Sequence, residues 1–121
     1  MDGTTILISG IPSQFVRGVM GEVKKHFNNQ IIVSLTKGIE HQTGRRMSEI
    51  IEEVLGKGTK VAALSGPNHA EEVCKKMPTA TVIASRNRKV ANTVAECFVT
   101  PSFKVYQLND ITGVELCGAL K

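Results

Sequence analysis

Two lysines stand where this chain could do chemistry. Lys37 directly follows the apolar run QIIVSLT (30–36) and precedes Gly38, and Lys121 closes the run ITGVELCGALK. An ammonium emerging at the loop end of a buried strand meets backbone dipoles, so Lys37 can hold a phosphate or polarise a carbonyl, or simply begin a solvated loop. Between the two lies SGPNHAEEV (65–73). There Gly66 permits close approach, Pro67 stiffens the turn, and Asn68 sits at an expected helix N-terminus whose free N–H groups attract anions. Asn68 can equally cap that helix. His69 has the titration range of a general acid or base, but no Asp, Ser or Cys partner is identifiable near it. Glu71, Glu72 and Glu115 suggest paired carboxylates, yet Glu71 and Glu72 are adjacent on a helix and face different directions. They read as partners of the helix dipole. Beside Lys121, the small residues Gly118 and Ala119 would let another segment pack closely, while the alternative is a charged terminus that keeps the end soluble.

The elements that must position these residues alternate in period. TTILISGI (4–11) is a short β-branched run, and Ser13 can cap a helix striped by Val16, Val19, Met20, Val23 and Phe27. QIIVSLT is a second strand, followed by the loop KGIEHQTG and a helix with Met47, Ile50, Ile51, Val54 and Leu55 on one face. Gly56 ends that helix. KVAALS (60–65) leads through SGPN to a helix with Ala70, Val73, Cys74 and Met77 on one face, where Asn68 and Glu71 resemble a capping box and Pro78 is a stop. TATVIAS (79–85) precedes a helix carrying Val90, Val94, Cys97 and Phe98. FKVYQLN (103–109) alternates like an edge or antiparallel strand, and Asp110 caps the last helix. Repeated strand–helix units predict an α/β fold: a partial Rossmann-like sheet, mostly parallel, with helices on both faces and right-handed crossovers. Ligands of such sheets bind at the carboxyl ends of the strands. Here those ends carry GIPSQF, TKGIE and SGPNHA. No GxGxxG follows the first strand.

At 121 residues the chain is one domain. A 41% hydrophobic and 21% charged composition is that of a globular protein. No apolar run approaches the roughly 20 residues that span a bilayer, and the N-terminus lacks a signal-peptide pattern, so the expected location is the cytoplasm with no membrane partner. The net charge is +4, but its basic residues are spread over positions 24–25, 45–46, 75–76 and 86–89 without interleaved aromatics, so no nucleic acid is expected. Cys74, Cys97 and Cys117 sit among apolar neighbours at helical spacing and read as buried thiols. With His26, His41 and His69 they offer no metal-ligand spacing, so no metal is expected.

Taken together, IPSQF, VSLTKGIE, LSGPNHAEEV, TATVIAS and TPSFKVYQLNDITGVELCGALK resemble, in this order, the NAD(P)-dependent glycerol-3-phosphate dehydrogenase family from near Ile6 to Lys121. The resemblance implies a cytoplasmic oxidoreductase that interconverts dihydroxyacetone phosphate and sn-glycerol 3-phosphate with NAD or NADP, in phospholipid precursor synthesis. It places Phe15 and Ala70 against the dinucleotide and Lys37 on both substrate and nicotinamide. Gly66 and Asn68 line the substrate site, and Lys121 is the proton-transferring lysine of the GALK motif. At Asn68 and His69 many bacterial members look more like Ser or Thr followed by Phe, and Asn68 resembles the eukaryotic pattern.

The family also begins with a strand and GxGxxG and continues past GALK into a helical domain. Residues 1–121 are therefore expected to be a single partial NAD(P)-binding domain ending at the start of the linking helix, binding NADH weakly or not at all and turning over little. Two other readings stand beside this one. One is a related dehydrogenase for another small phosphorylated or 2-oxo substrate, and the other a non-catalytic α/β module. Apolar surface around Ile6, Leu7, Val114 and Leu116 predicts a homo-oligomer.

Overall fold

The computed structural model describes residues 5–66 and 70–120. Five strands form one sheet in the order β1-β2-β3-β4-β5: Ile6–Ser9, Ile31–Ser34, Val61–Ser65, Thr79–Ala84 and Phe103–Leu108. The helices are α1 (Val16–Lys24), α2 (Met47–Leu55), α3 (Ala70–Cys74), α4 (Arg88–Phe98) and α5 (Ile111–Ala119). β1, β2 and β3 are parallel, and β4 and β5 are parallel to each other. The reversal falls between β3 and β4, where Ala63 pairs with Ala84 and Ser65 with Val82. The last strand is thus an edge strand, as expected, but it is not antiparallel to its neighbour. Its alternation comes from one open edge and one wet face, which leave the direction of pairing undetermined.

Strict alternation along the central strands divides the core in two. Ile32, Val61 and Ala63 face Val16, Met20, Met47, Ile50 and Ile51, with Ile111 from α5 on the same side. Ile31, Val33, Ala62 and Ile83 face Val90, Ala91, Val94 and Ala95 of α4. All four residues of β2 are buried because helices cover both faces. Ile32, Ile50 and Ile51 have no exposed surface. Burial of each such side chain contributes roughly 1.5–3 kcal/mol.

Several local expectations shift. Ser13 does not cap α1: residues Ser13–Phe15 form a 3-10 turn, and α1 starts at Val16 without a side-chain cap. Gly56 does end α2, at φ 118°. Asn87 caps α4 by accepting from the Lys89 N–H at 2.9 Å, and Asp110 caps α5 by accepting from the Gly113 N–H at 3.0 Å. The Asn68–Glu71 capping box lies outside the described residues.

The stripe Ala70, Val73, Cys74 and Met77 is exposed rather than buried. Antiparallel neighbours need no crossover on the sheet face, so the segment joining β3 to β4 is not pressed onto the sheet. The three cysteines are likewise exposed. Cys97 and Cys117 fall between the inward positions of their helices, which are Val90, Ala91, Val94 and Ala95 on α4 and Ile111 and Gly118 on α5. Of the apolar patch expected at the surface, Ile6, Leu7 and Val114 are partly buried against the core, whereas Leu116 is exposed, together with Ile8 on the outer edge of β1.

α5 is apolar nearly all round yet fully buries only Ile111 and Gly118. Its orientation is set by a charge. Glu115 accepts from the Ser48 N–H at 3.0 Å, in the first turn of α2, and from Arg46 Nη1 at 3.3 Å. The Glu115 and Arg46 side chains are only 6% and 10% exposed. The carboxylate thereby satisfies an orphan N–H and meets the positive end of the α2 dipole. On the other side, Arg46 also contacts Glu49 at 3.3 Å. Leaving one member of a buried pair without its partner is far costlier than losing an exposed pair such as Lys25–Glu22. Glu115→Ala is expected to lower the unfolding free energy by about 3 kcal/mol, against under about 1 kcal/mol for Glu22→Ala, as read from urea denaturation of both variants.

Candidate functional site

The carboxyl ends of β1, β2 and β3 lie together, and the loops that leave β1 and β2 build a cleft of about 410 Å³ with the end of α5. Ser13 and Gly38 form one wall and Ala119 and Leu120 the other. Thr36 fastens the first two loops, its hydroxyl donating to the Ile11 carbonyl at 2.6 Å. Gly38 adopts φ 122°, a conformation that disfavours a side chain, and a β-carbon there would lie 3.4 Å from Ser13 Cβ and Oγ. Glycine thus keeps the two loops in contact.

Lys37 is exposed at this end of the sheet. Its stem runs beside α5: a β-carbon on Gly118 would lie 3.9 Å from Lys37 Cγ and 3.2 Å from Ser65 Oγ. The small residue before the chain's last lysine therefore does what the sequence suggested, and lets another segment pack against α5. Phe15 projects into solvent from the 3-10 turn, 56% exposed. Gly66 is buried just after β3, and Ala70 is exposed at the start of α3. Asn68, His69 and Lys121 lie outside the described residues. Lys121 follows Leu120, the residue next to the cleft wall at Ala119. The structure thus brings Lys37, Ser65 and Gly118 together, and joins the Phe15 turn to Gly38 through Ser13.

Two contributors were not apparent as such from sequence. Ser65 reads in sequence as the end of a strand and Ser13 as a helix cap. The KGIEHQTG segment is a tight turn, closed by the Glu40 N–H to the Arg45 carbonyl at 2.9 Å and the Gly44 N–H to the Glu40 carbonyl at 2.7 Å. Arg17 of α1 clamps it, donating from Nε and Nη2 to the two oxygens of Glu40 at 2.9 Å each. Nη1 of Arg17 also donates to Glu53 of α2 at 3.0 Å, and Arg45 pairs with the same carboxylate at 3.1 Å. Thr43 Oγ1 adds a 2.6 Å bond to Glu40.

The Arg17 guanidinium, followed by the Thr43 hydroxyl, holds Glu40 down to about 2, and Arg17 also lowers Glu53. Because the folded-state value of Glu40 lies below its ordinary 4.5, its stabilisation is complete above that value and is lost as pH falls toward about 2. The thermal midpoint should therefore drop between pH 4.5 and 2 in the parent chain, and the drop should be shallower in Glu40→Gln when both are followed by circular dichroism.

A protein-family model described as the NAD-dependent glycerol-3-phosphate dehydrogenase N-terminus matches residues 1–91. The chain is 41% identical over its whole length to a glycerol-3-phosphate dehydrogenase [NAD(P)+] of Syntrophomonas wolfei, covering 36% of that protein. It is 44% identical to one of Fusobacterium nucleatum, again over the whole chain and covering 37% of the relative. A crystal structure of glycerol-3-phosphate dehydrogenase from Coxiella burnetii superposes with a TM-score of 0.88 at 32% identity, over 97% of this chain and 36% of that one. A pyrroline-5-carboxylate reductase from the same organism, at 19% identity and TM-score 0.70, shares the fold. The chain thus spans about a third of the length of the relatives it matches. Carrying the family's N-terminal pattern in sequence and its dinucleotide-domain architecture in three dimensions, this chain belongs to the NAD-dependent glycerol-3-phosphate dehydrogenase family.

Proposed function

We propose that this chain forms one wall of an active site that interconverts dihydroxyacetone phosphate and sn-glycerol 3-phosphate, with NADH or NADPH as the partner, in the cytoplasm and for the supply of phospholipid precursors. One observation carries the reading: the Lys37 stem lies against Gly118, three residues before Lys121, at the carboxyl ends of parallel strands. Residues at i and i+3 share a helix face, and Lys121 stands three positions after Gly118 in the sequence.

The residues present fit one side of a dinucleotide. Exposed Phe15 offers an apolar ring in the turn that carries Ser13, the glycine backbone at Gly38 leaves room for close approach, and the family resemblance adds Ala70 to the same contact. The GxGxxG cradle does not follow β1. When bound, the nicotinamide supplies or accepts a hydride. Lys37 then holds the substrate end through its ammonium, while Gly66 and Asn68 line the pocket. Reduction of a ketone places negative charge on oxygen, and the Lys121 ammonium donates the proton that neutralises it. In oxidation its amine takes that proton back.

A chimera tests this reading. With residues 1–121 replacing the matching segment of the Fusobacterium nucleatum relative, dehydrogenase turnover with dihydroxyacetone phosphate is expected, and Lys121→Ala should lower kcat at least about 100-fold. A folded chimera whose turnover is indifferent to both Lys37→Ala and Lys121→Ala would overturn the assignment.

We also infer self-association of the isolated chain. β1 pairs on one side only, Ile8 on it is 57% exposed, and Leu116 of α5 is 40% exposed. An open apolar strand edge is a template for pairing. Sedimentation velocity should show a dimer or larger species growing with concentration, and a single monomer boundary throughout would refute it.

A further inference from the structure

We propose that the end of the sheet opposite the cleft is a docking surface for an anionic phospholipid bilayer. The fold gathers there the basic residues that the sequence spreads along the chain: Lys24 and Lys25 at the end of α1, Lys57 and Lys60 between α2 and β3, and Arg86, Arg88 and Lys89 at the start of α4. All seven are exposed. Antiparallel pairing of β3 with β4 brings the last group beside Lys60, as the Ser85 hydroxyl bonded to the Val61 carbonyl at 2.8 Å shows.

Three carboxylates share this end. Glu22 pairs with Lys25 at 3.0 Å, Glu52 stands 3.9 Å from Arg86, and Asp110 caps α5. Glu53 turns away to Arg17 and Arg45. Among the described residues, seven cations thus stand against three anions at this end, a local excess of four positive charges.

Fold stability accounts for only part of the cluster. Lys24 is the basic residue of the last turn of α1, and Lys25 and Lys57 follow the ends of α1 and α2, where cations are favourable. Arg88 and Lys89 occupy the first turn of α4, which contains no acidic residue. Cations there oppose the helix dipole, and a local conflict with stability is the mark of a surface kept for contact.

The shape selects the partner. The helices present their ends rather than their sides, so no element projects to enter a duplex groove. No exposed aromatic ring lies among the seven cations to stack on a base. A broad face of lysine and arginine stems suits a charged plane, where each cation strengthens binding roughly five-fold and salt screens the attraction. This departs from the expectation of no membrane partner, which rested on the length of the apolar runs and the lack of a signal-peptide pattern. The contact is peripheral, and the cleft faces away from the bilayer.

Flotation with vesicles of phosphatidylcholine alone or with about a third phosphatidylglycerol tests the proposal. The chain should float with the anionic vesicles at low salt, remain behind with neutral ones, and be released by about 0.5 M NaCl. The triple variant Lys60→Glu, Arg88→Glu, Lys89→Glu should bind at least about 100-fold more weakly. Two of its changes place acids in the first turn of α4, which favours the helix; an unchanged or raised thermal midpoint separates lost binding from lost folding. Lys75→Glu with Lys76→Glu, outside this end, should float as the parent does. Failure to float with anionic vesicles, equal loss in both variants, or displacement by duplex DNA at matched charge would overturn the bilayer assignment.

Discussion

Everything at the cleft depends on one buried carboxylate. α5 fully buries only two residues on the sheet, and its apolar surface is nearly uniform, so packing alone specifies poorly how the helix is rotated. Glu115 removes that freedom. Its two oxygens take different partners, the Ser48 N–H and Arg46, and both belong to the first turn region of α2. A rotation that would cost little in apolar contact would leave a charge, a guanidinium and a backbone donor unsatisfied together. One turn beyond Glu115, Gly118 meets Ser65 and the Lys37 stem. The lysine side of the site is thus registered by an interaction that touches no substrate.

The Arg17 network does similar work on the facing wall by different physics. It is partly exposed and shared among Glu40, Glu53 and Arg45, so its strength comes from bidentate geometry rather than from burial. It joins α1, α2 and the turn after Lys37 by side-chain charge, beside the Ile39–Arg46 backbone bridge that ties the turn to the start of α2. Solvent and salt reach this network more readily than the Arg46–Glu115 pair. The two walls of the cleft should therefore respond differently to acid and to ionic strength.

What could be read from the chain followed the range of each signal. Period-two and period-3.6 patterns found the strands and helices because they depend on neighbours within a few residues, and Gly56 and Asp110 marked helix ends by local chemistry. Direction of pairing has no such local signature, so the sequence offered an edge or antiparallel last strand without marking that the reversal begins at β4. Cys97 and Cys117 were misread because a stripe displaced by one residue still looks helical while turning a side chain outward. Glu115 and Arg46 are 69 positions apart, and nothing in either stretch announces the other. The same holds for the cations of one end, scattered in sequence and adjacent only after folding. At the cleft, Lys37 and the closeness around Gly118 were legible, because a lysine after a buried strand and a small residue on a helix each carry their reason locally.

The reversal between β3 and β4 has a consequence of parity. A helix that follows a strand runs back against it, so α1 and α2, after strands pointing toward the cleft, finish at the far end. β4 and β5 point the other way, so α4 and α5 run back toward the cleft end, and α5 places its last residues in the cleft wall. A sheet parallel throughout would deliver this helix to the far end, with Gly118 well away from Lys37. Any rearrangement of this lineage that adds or removes a reversal of strand direction between β3 and α5 must therefore invert the delivery of that helix, whereas parallel strand–helix units gained or lost there leave it intact.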